Sequence, residues 1–205
     1  GLADRPAREA ISRLRYQVYA EELGQYPPNA NAAVRDPIDE WNAYLVATVQ
    51  GAIAGFISVT APTAPKFGIE KYLSREQLPF SLDAQTYEVR LLTVLKPHRG
   101  RELATLLMYA ALRWVEAHGG NRLVAIGRRE VLDLYLRCGL ESAGVSLQLG
   151  NVTYELLAGS VAEIRRRASE FTGLLERLEE KTDWQLNVAF RKPAPCFHGG
   201  AFFEA

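Results

Sequence analysis

The sequence holds little cysteine, no excess charge of either sign and no long apolar run. Its two cysteines, Cys138 and Cys196, make no disulfide framework, so the expected setting is a reducing cytoplasm. Lys plus Arg and Asp plus Glu are both 24, which leaves a formal net charge of zero. A nucleic-acid binder normally carries a basic excess, so that class of partner is set aside. No apolar stretch approaches the ~18 residues of a membrane span, and the N-terminus lacks a charged-then-apolar signal pattern, so no membrane partner is expected. Cys196 and His198 are close enough to suggest a metal, but two ligands make no site, and no metal is expected. What is present is 48% hydrophobic and 23% charged residues over 205 positions, enough for one packed core with an appendage.

The most informative stretch is residues 87–111. Residues 88–95, EVRLLTVL, are apolar on both faces of an extended chain and predict a buried strand. Pro97 stops it, since proline cannot continue a central strand. From Leu103 the apolar residues recur at Leu106, Leu107, Ala110, Ala111, Trp114 and Val115, the spacing of a helix packed on a sheet. Between strand and helix lies Arg99-Gly100-Arg101-Glu102. A basic, glycine-containing turn at this place suits a phosphate or pyrophosphate, because free N–H groups and the positive helix end face the ligand.

The rest of the chain can be taken in order. Asp4 caps a helix with Pro6 in its first turn, and Ala7, Ile11, Leu14, Val18 and Tyr19 share one face up to Leu23-Gly24. Residues 25–36 are polar and proline-bearing and read as a loop. Residues 42–49 and 52–60 read as a hairpin across Gln50-Gly51. Residues 61–85 form a long proline-bearing connection with one helical turn near 74–77, of a kind that usually serves binding. Residues 122–126 predict a second buried strand, and 130–137 a short helix stopped by Gly139. Residues 144–148 and 152–157 predict a hairpin across Gly150-Asn151. Ser160-Val161-Ala162-Glu163 reads as a capping box. It opens one helix whose positions Val161, Ile164, Ala168, Phe171, Leu175 and Leu178 pack on the domain itself. Residues 184–190 read as a last strand.

This order predicts an α/β fold with a mixed, mainly antiparallel sheet covered by helices, an additional C-terminal helix and a final strand. The expected organisation is one domain at 1–158 and a helical extension with a linker tail at 159–205. The tail carries Pro193, Pro195, Gly199-Gly200 and the bare apolar Ala201-Phe202-Phe203, and the expectation is that the natural chain continues.

The strand, basic turn and helix resemble the acyl-CoA-binding motif of the GNAT superfamily of N-acyltransferases, Arg/Gln-x-x-Gly-x-Gly/Ala. Arg99 fills its first position and Ala104 its last, while Glu102 stands where the pattern has its central glycine. Leu134-Tyr135-Leu136-Arg137-Cys138-Gly139-Leu140 is similar to the family's Tyr-x-x-x-Gly-Phe segment, with Leu140 for Phe. Together the matches cover roughly residues 43–157. Arg15-Tyr16-Gln17-Val18-Tyr19-Ala20-Glu21-Glu22, with Asp36 and Asp39, resembles the opening of N-acyl amino acid synthases and acyl-homoserine-lactone synthases. These relatives take fatty acyl groups, often from acyl carrier protein. Their strand carries Glu-x-Ser-Arg; here Glu88-Val89-Arg90-Leu91 has the arginine one place earlier. Gly55-Phe56-Ile57-Ser58-Val59-Thr60-Ala61-Pro62 and the tail from Cys196 to Ala205 resemble bacterial GNAT domains joined upstream of a PLP-dependent aminotransferase-like domain. That resemblance implies such a C-terminal domain as a partner.

The resemblance implies an N-acyltransferase. Its acyl donor is an acyl-CoA or the phosphopantetheine of acyl carrier protein, and its acceptor is a small-molecule amine or amino acid. Backbone groups of Leu92 and Val94 then hold the pantetheine. The turn of Arg99, Gly100, Arg101, Glu102, Leu103 and Ala104 holds the pyrophosphate, and Tyr135 protonates the departing thiolate. A solvated basic turn and a half-buried helix tyrosine are the plain alternatives. Read from the residues themselves, Glu88 is a candidate general base, directly or through water, or else a surface carboxylate at a strand end. Arg90 on its face holds Glu88 ionised, binds a substrate carboxylate, or forms a structural ion pair. Cys138 reads as a small buried hydrophobe, since no histidine pairs with it. Trp41, Trp114 and Trp184 read as core or interface residues. Arg165-Arg166-Arg167 reads as a solvated helix face rather than a carrier-protein docking patch. Glu102 and the apolar tail also fit a function of another class, a catalytically degenerate domain of this fold that serves an attached catalytic domain as sensor or docking module.

Overall fold

A computed structural model describes residues 1–186 of the chain. Helix α1 (Arg5–Arg15) starts where Asp4 accepts the Ala7 N–H at 2.9 Å, with Pro6 in the first turn, as the capping pattern predicts. It does not end there. The chain continues as widened π-helical turns over Tyr16–Glu22, which bury Val18, Tyr19 and Ala20. A 3.6-residue period cannot announce this change, because each position has only slipped around the axis.

Six strands follow: β1 (Asn42–Val49), β2 (Ala52–Thr60), β3 (Thr86–Val94), β4 (Arg122–Arg128), β5 (Glu141–Leu149) and β6 (Val152–Ser160). They form one sheet in the order β1-β2-β3-β4-β6-β5. Every neighbouring pair is antiparallel except β3–β4. The turn between β1 and β2 puts both Gln50 (φ 51°) and Gly51 (φ 79°) in the left-handed region, as a tight hairpin requires. Helix α2 (Arg101–Ala117) lies across β1, β2 and β3, and Leu107, Ala111 and Val115 join Leu45, Ile57 and Val59 in the main core. Helix α3 (Leu132–Arg137) follows β4, and Gly139 beyond it takes φ 91°, the left-handed residue expected after a helix end.

The long apolar seam after Ser160 is not one helix. It divides into α4 (Val161–Ser169) and α5 (Thr172–Glu180) around Phe171, whose φ and ψ are −111° and 22°. The Ser169 and Thr172 hydroxyls donate back to the carbonyls of Arg166 and Ser169, both at 2.6 Å, which competes with the helical ladder at the break. Packing on the protein itself is nonetheless what the seam does: Val161, Ile164 and Leu175 belong to the main core, while Phe171 is exposed. Ser160 accepts the Glu163 N–H, but the Glu163 carboxylate turns to Arg166 and Arg167, so only half of the capping box forms. Arg165, Arg166 and Arg167 are solvated and paired with Glu116, Glu163 and Glu170. Trp114 and Trp184 pack on the core, but Trp41 is half exposed. Residues 184–186 are not in a strand, and the remainder of the expected last strand and the tail, with Cys196 and His198, lie outside the described residues.

Candidate active site

The site is built on a defect in the central strand. A strict two-residue period puts Glu88, Arg90, Leu92 and Val94 on one face. In β3 the register against β2 slips, so that Leu91 and Leu92 together stand opposite Ile57. Leu91 takes φ 56°, an uncommon and strained value for leucine. This β-bulge resets the alternation. Glu88 and Arg90 stay on the face of the 61–85 connection, whereas Leu92 and Val94 pack on the face of α2. Hydroxyls pin the bulge. Ser58 Oγ donates to the Arg90 carbonyl at 3.3 Å, Thr93 Oγ1 donates to the Leu91 carbonyl at 3.0 Å, and Tyr19 Oη meets Thr93 Oγ1 at 3.1 Å.

Beside the bulge the sheet opens. Strands β3 and β4 pair only from Thr86↔Arg122 to Val89↔Ala125. Beyond that point β3 remains paired with β2, and β4 with β6, but not with each other. Three spaces fill this opening and meet at Leu92 and Tyr135, which line all of them. The first is a cleft of about 460 Å³ bordered by Val94, Arg99, Gly100, Ala104, Arg128 and Arg137. The second is a narrow apolar cavity of about 60 Å³ running under α2 past Ile57, Met108, Leu112, Cys138 and Ile164. The third is a polar pocket of about 50 Å³ ringed by Tyr19, Tyr26, Tyr72, Tyr154, Arg90 and Arg128.

The expected phosphate turn faces the cleft. Gly100 is the N-cap of α2 with no side-chain cap, and nothing lies within 4 Å of where a Cβ on it would stand. The first amides of the helix therefore have room for an anion. Arg99 borders the cleft, and its guanidinium donates to the Val94 carbonyl at 3.1 Å and pairs with Glu22. Glu102, in the place of the expected glycine, is exposed and does not line the cleft; at the start of α2 its charge suits the helix dipole. Leu103 turns its side chain into the core. The side chain of Arg101 lies outside the described part.

Glu88 is wholly buried and is no surface carboxylate. Its Oε2 accepts the Gly68 N–H at 2.5 Å and its Oε1 the Ile69 N–H at 2.8 Å, so it ties the 61–85 connection to the central strand. Burial raises its pKa, and Arg90 with the two amides opposes that. Glu88 lines none of the three spaces, so in this arrangement it does not reach a ligand there. Arg90 Nε stands 3.9 Å from Glu88 Oε1 and its Nη2 3.3 Å from Asp36 Oδ2, and Lys71 also pairs with Asp36. Arg15 donates to Asp39 Oδ2 at 2.6 Å, and Tyr44 Oη donates to the other oxygen at 2.7 Å. The Asp36 and Asp39 of the N-terminal resemblance are thus brought to Arg90 and Arg15. Tyr135 sits where the spaces cross, its phenol pushed up to about 12, chiefly by burial. Cys138 is half-buried in the apolar cavity, and burial raises its thiol pKa.

Arg128, Arg137 and the tyrosine ring were not read from the sequence. One signal did exist for the first. Strand β4 runs parallel to β3 and ends on Arg128, at the carboxyl end where α/β sheets bind their ligands. The four ring tyrosines, Tyr19, Tyr26, Tyr72 and Tyr154, come from four separate segments, and only the closed fold gathers them.

With this geometry in view, the chain can be set beside known proteins. A search of curated proteins finds no match. Among solved structures, the CoA-dependent acyl-homoserine lactone synthase BjaI, solved with SAM and isopentyl-CoA, aligns with a TM-score of 0.71 at 17% identity, over 90% of this chain and 88% of that one. FeeM, an N-acyl amino acid synthase from uncultured soil microbes, aligns with 0.63 at 14% identity, over 82% and 98%. An aminoglycoside 6'-N-acetyltransferase complexed with coenzyme A aligns with 0.54 at 14%, over 78% and 96%. At such identities the likeness concerns the fold. The sequence pattern of the acetyltransferase (GNAT) family matches residues 13–140, from within α1 to just before β5, which is more than half of the chain and includes the bulged strand, the open seam and Tyr135; the protein belongs to that family.

Proposed function

We propose that this protein is an N-acyltransferase that moves an acyl group from the thioester of CoA or of a carrier-protein phosphopantetheine to the nitrogen of an amine or amino acid. The carrying observation is the crossing at Leu92 and Tyr135, where a cleft beside a helix N-terminus, an apolar cavity and a polar pocket meet. A thioester needs those three environments, for its phosphopantetheine, its acyl chain and its incoming amine. That the aligned proteins include CoA-dependent and amino-acid-acylating enzymes supports the reading.

In this reading the α2 amides and Arg99 and Arg137 hold the phosphates, and the unpaired edge of β3 at Leu92 and Val94 faces the pantetheine. The amine nitrogen attacks the thioester carbonyl, the C–S bond breaks, and the thiolate takes its proton from the Tyr135 phenol. The nitrogen loses its own proton to solvent, and the Tyr135 phenolate regains one from solvent. With its phenol pushed up to about 12, Tyr135 is a neutral donor at physiological pH. Glu88 then acts as a positioning residue that holds Arg90 and the 61–85 connection. The sensor or docking alternative loses one of its two motives, because Glu102 is exposed and does not line the cleft. A C-terminal PLP-dependent domain stays a proposal carried by residues 55–62 and the tail.

Incubation with mixed acyl thioesters and amines, followed by mass spectrometry of the small molecules, tests the activity. The expected result is an N-acylated product together with free thiol. Thioester binding without transfer to any amine would leave a sensor role instead.

A further inference from the structure

Arg90 and Arg128 both line the polar pocket, and each has unused capacity. The side chain of Arg90 is only 9% exposed. Its Nε and Nη2 face Glu88 and Asp36, but its Nη1 is buried with no hydrogen-bond partner. A buried guanidinium nitrogen left without an acceptor carries a real free-energy cost, so such groups nearly always have a partner. Arg128 ends β4 and forms no ion pair among the described residues. Its field reaches the tyrosines across the pocket and lowers the pKa of Tyr19, Tyr135 and Tyr154 against the effect of burial. The tyrosine hydroxyls do not neutralise it. Two of them are engaged with neutral groups, Tyr19 with Thr93 and Tyr154 with Gln25 at 2.6 Å.

We propose that this pocket recognises a carboxylate on the acceptor, received by Arg128 in the pocket that Arg90 also lines, so that the acceptor is a small amino acid or similar carboxylate-bearing amine. The inference rests on the N-acyltransferase reading and narrows it. A planar guanidinium matches a carboxylate with directed donors, which a plain amine or a sugar hydroxyl does not. The carboxylate would supply the counter-charge that Arg128 lacks among the described residues. Because Arg128 and Tyr135 also border the donor cleft, a carboxylate anchored there leaves the attached amine beside the thioester crossing. Removal of the carboxylate therefore affects acceptor use, not donor use.

The test compares proteinogenic amino acids with their own carboxamides, in two measurements on the intact protein. Calorimetry reads binding without chemistry, and mass spectrometry reads N-acylation with a fixed acyl-CoA. The expected result is at least one amino acid that binds and reacts about tenfold or more better than its amide. Arg128→Gln is expected to raise the acceptor KM about tenfold, leave the donor KM unchanged and erase the preference for acid over amide, while Arg128→Lys keeps part of it. Equal use of acid and amide by the unaltered protein overturns the inference and leaves the acyltransferase reading standing. A rise in donor KM alone for Arg128→Gln also overturns it, and returns Arg128 to the phosphates. Selective carboxylate binding without transfer supports the pocket assignment and counts against the activity. Neither binding nor transfer counts against both.

Discussion

The Gly68 amide donates to Glu88 Oε2 at 2.5 Å, and this contact fastens the 61–85 connection to the bulged strand. A Cβ on Gly68 would stand 2.3 Å from Arg90 Cζ, and that guanidinium is itself pinned by Asp36 and Glu88. Gly68→Ala is therefore expected to cost about 1–3 kcal/mol through forced displacement of a packed group. Glu88→Gln keeps the shape but turns an amide NH₂ toward one of two backbone donors, leaving a buried N–H unsatisfied at about 1–3 kcal/mol. Urea titrations of both variants check this. Full stability of Glu88→Gln together with a loss of kcat above a hundredfold would show a base rather than an anchor.

Arg99 reaches from the cleft to Glu22 at the end of the π-helical turns. A donor phosphate must compete with that carboxylate. Glu22→Gln is expected to tighten CoA binding a few-fold, by freeing a half-exposed guanidinium, and Arg99→Ala to weaken it. Thermal shifts with CoA, at low and high salt, separate the outcomes. Tighter binding by Arg99→Ala would remove Arg99 from the phosphate site.

Much of this architecture was legible. The hairpin across Gln50-Gly51 and its strand limits follow from alternation and turn residues, and α2 follows from its apolar spacing. The strand–turn–helix order pointed to Arg99 and Gly100 and the family resemblance of residues 134–140 to Tyr135, and all three line one cleft. What was hidden depends on register. The period-two rule groups Arg90 with Leu92, but the bulge at Leu91 separates them, and no residue type there announces it, since leucine disfavours a positive φ. The burial of Glu88 was hidden for another reason: its partners are backbone amides, which carry no side-chain signature. The pocket tyrosines share no local pattern, so only closure of the fold brings Tyr19 beside Tyr154.

Tyr135 and Tyr44 both have phenols pushed up to about 12, chiefly by burial. An unfolded tyrosine ionises near 10, so above that pH the unfolded chain releases protons that the folded chain keeps. Stability therefore falls as pH rises through 10, by up to about 1.4 kcal/mol per pH unit for each such group. Urea midpoints between pH 8 and 11 measure the slope, and phenolate absorbance should follow unfolding rather than precede it. Turnover limited by Tyr135 should show no alkaline loss below about pH 11 wherever the protein stays folded. Tyr135→Phe should lower kcat about a hundredfold with little change in donor KM. Retention of full turnover would assign the thiolate's proton to solvent.

The apolar cavity under α2 reaches Met108, Leu112, Cys138 and Ile164, and all four also line a further apolar space beneath α4 and α5. If the acyl chain enters this way, Cys138 stands at the junction and its side-chain volume limits length. Cys138→Phe fills the junction. It is expected to cost about 1–3 kcal/mol in stability, through overpacking. It should also shift the preferred donor toward short chains: kcat/KM for acetyl-CoA should hold within a few-fold, while that for an eight- to twelve-carbon acyl-CoA falls at least tenfold. Each methylene excluded from an apolar site removes about 0.8 kcal/mol of transfer free energy, so two lost methylenes already suffice. Cys138→Ser controls for thiol chemistry and should leave the chain-length profile in place. An unchanged profile in a folded Cys138→Phe variant would send the acyl chain elsewhere, out through the mouth of the cleft.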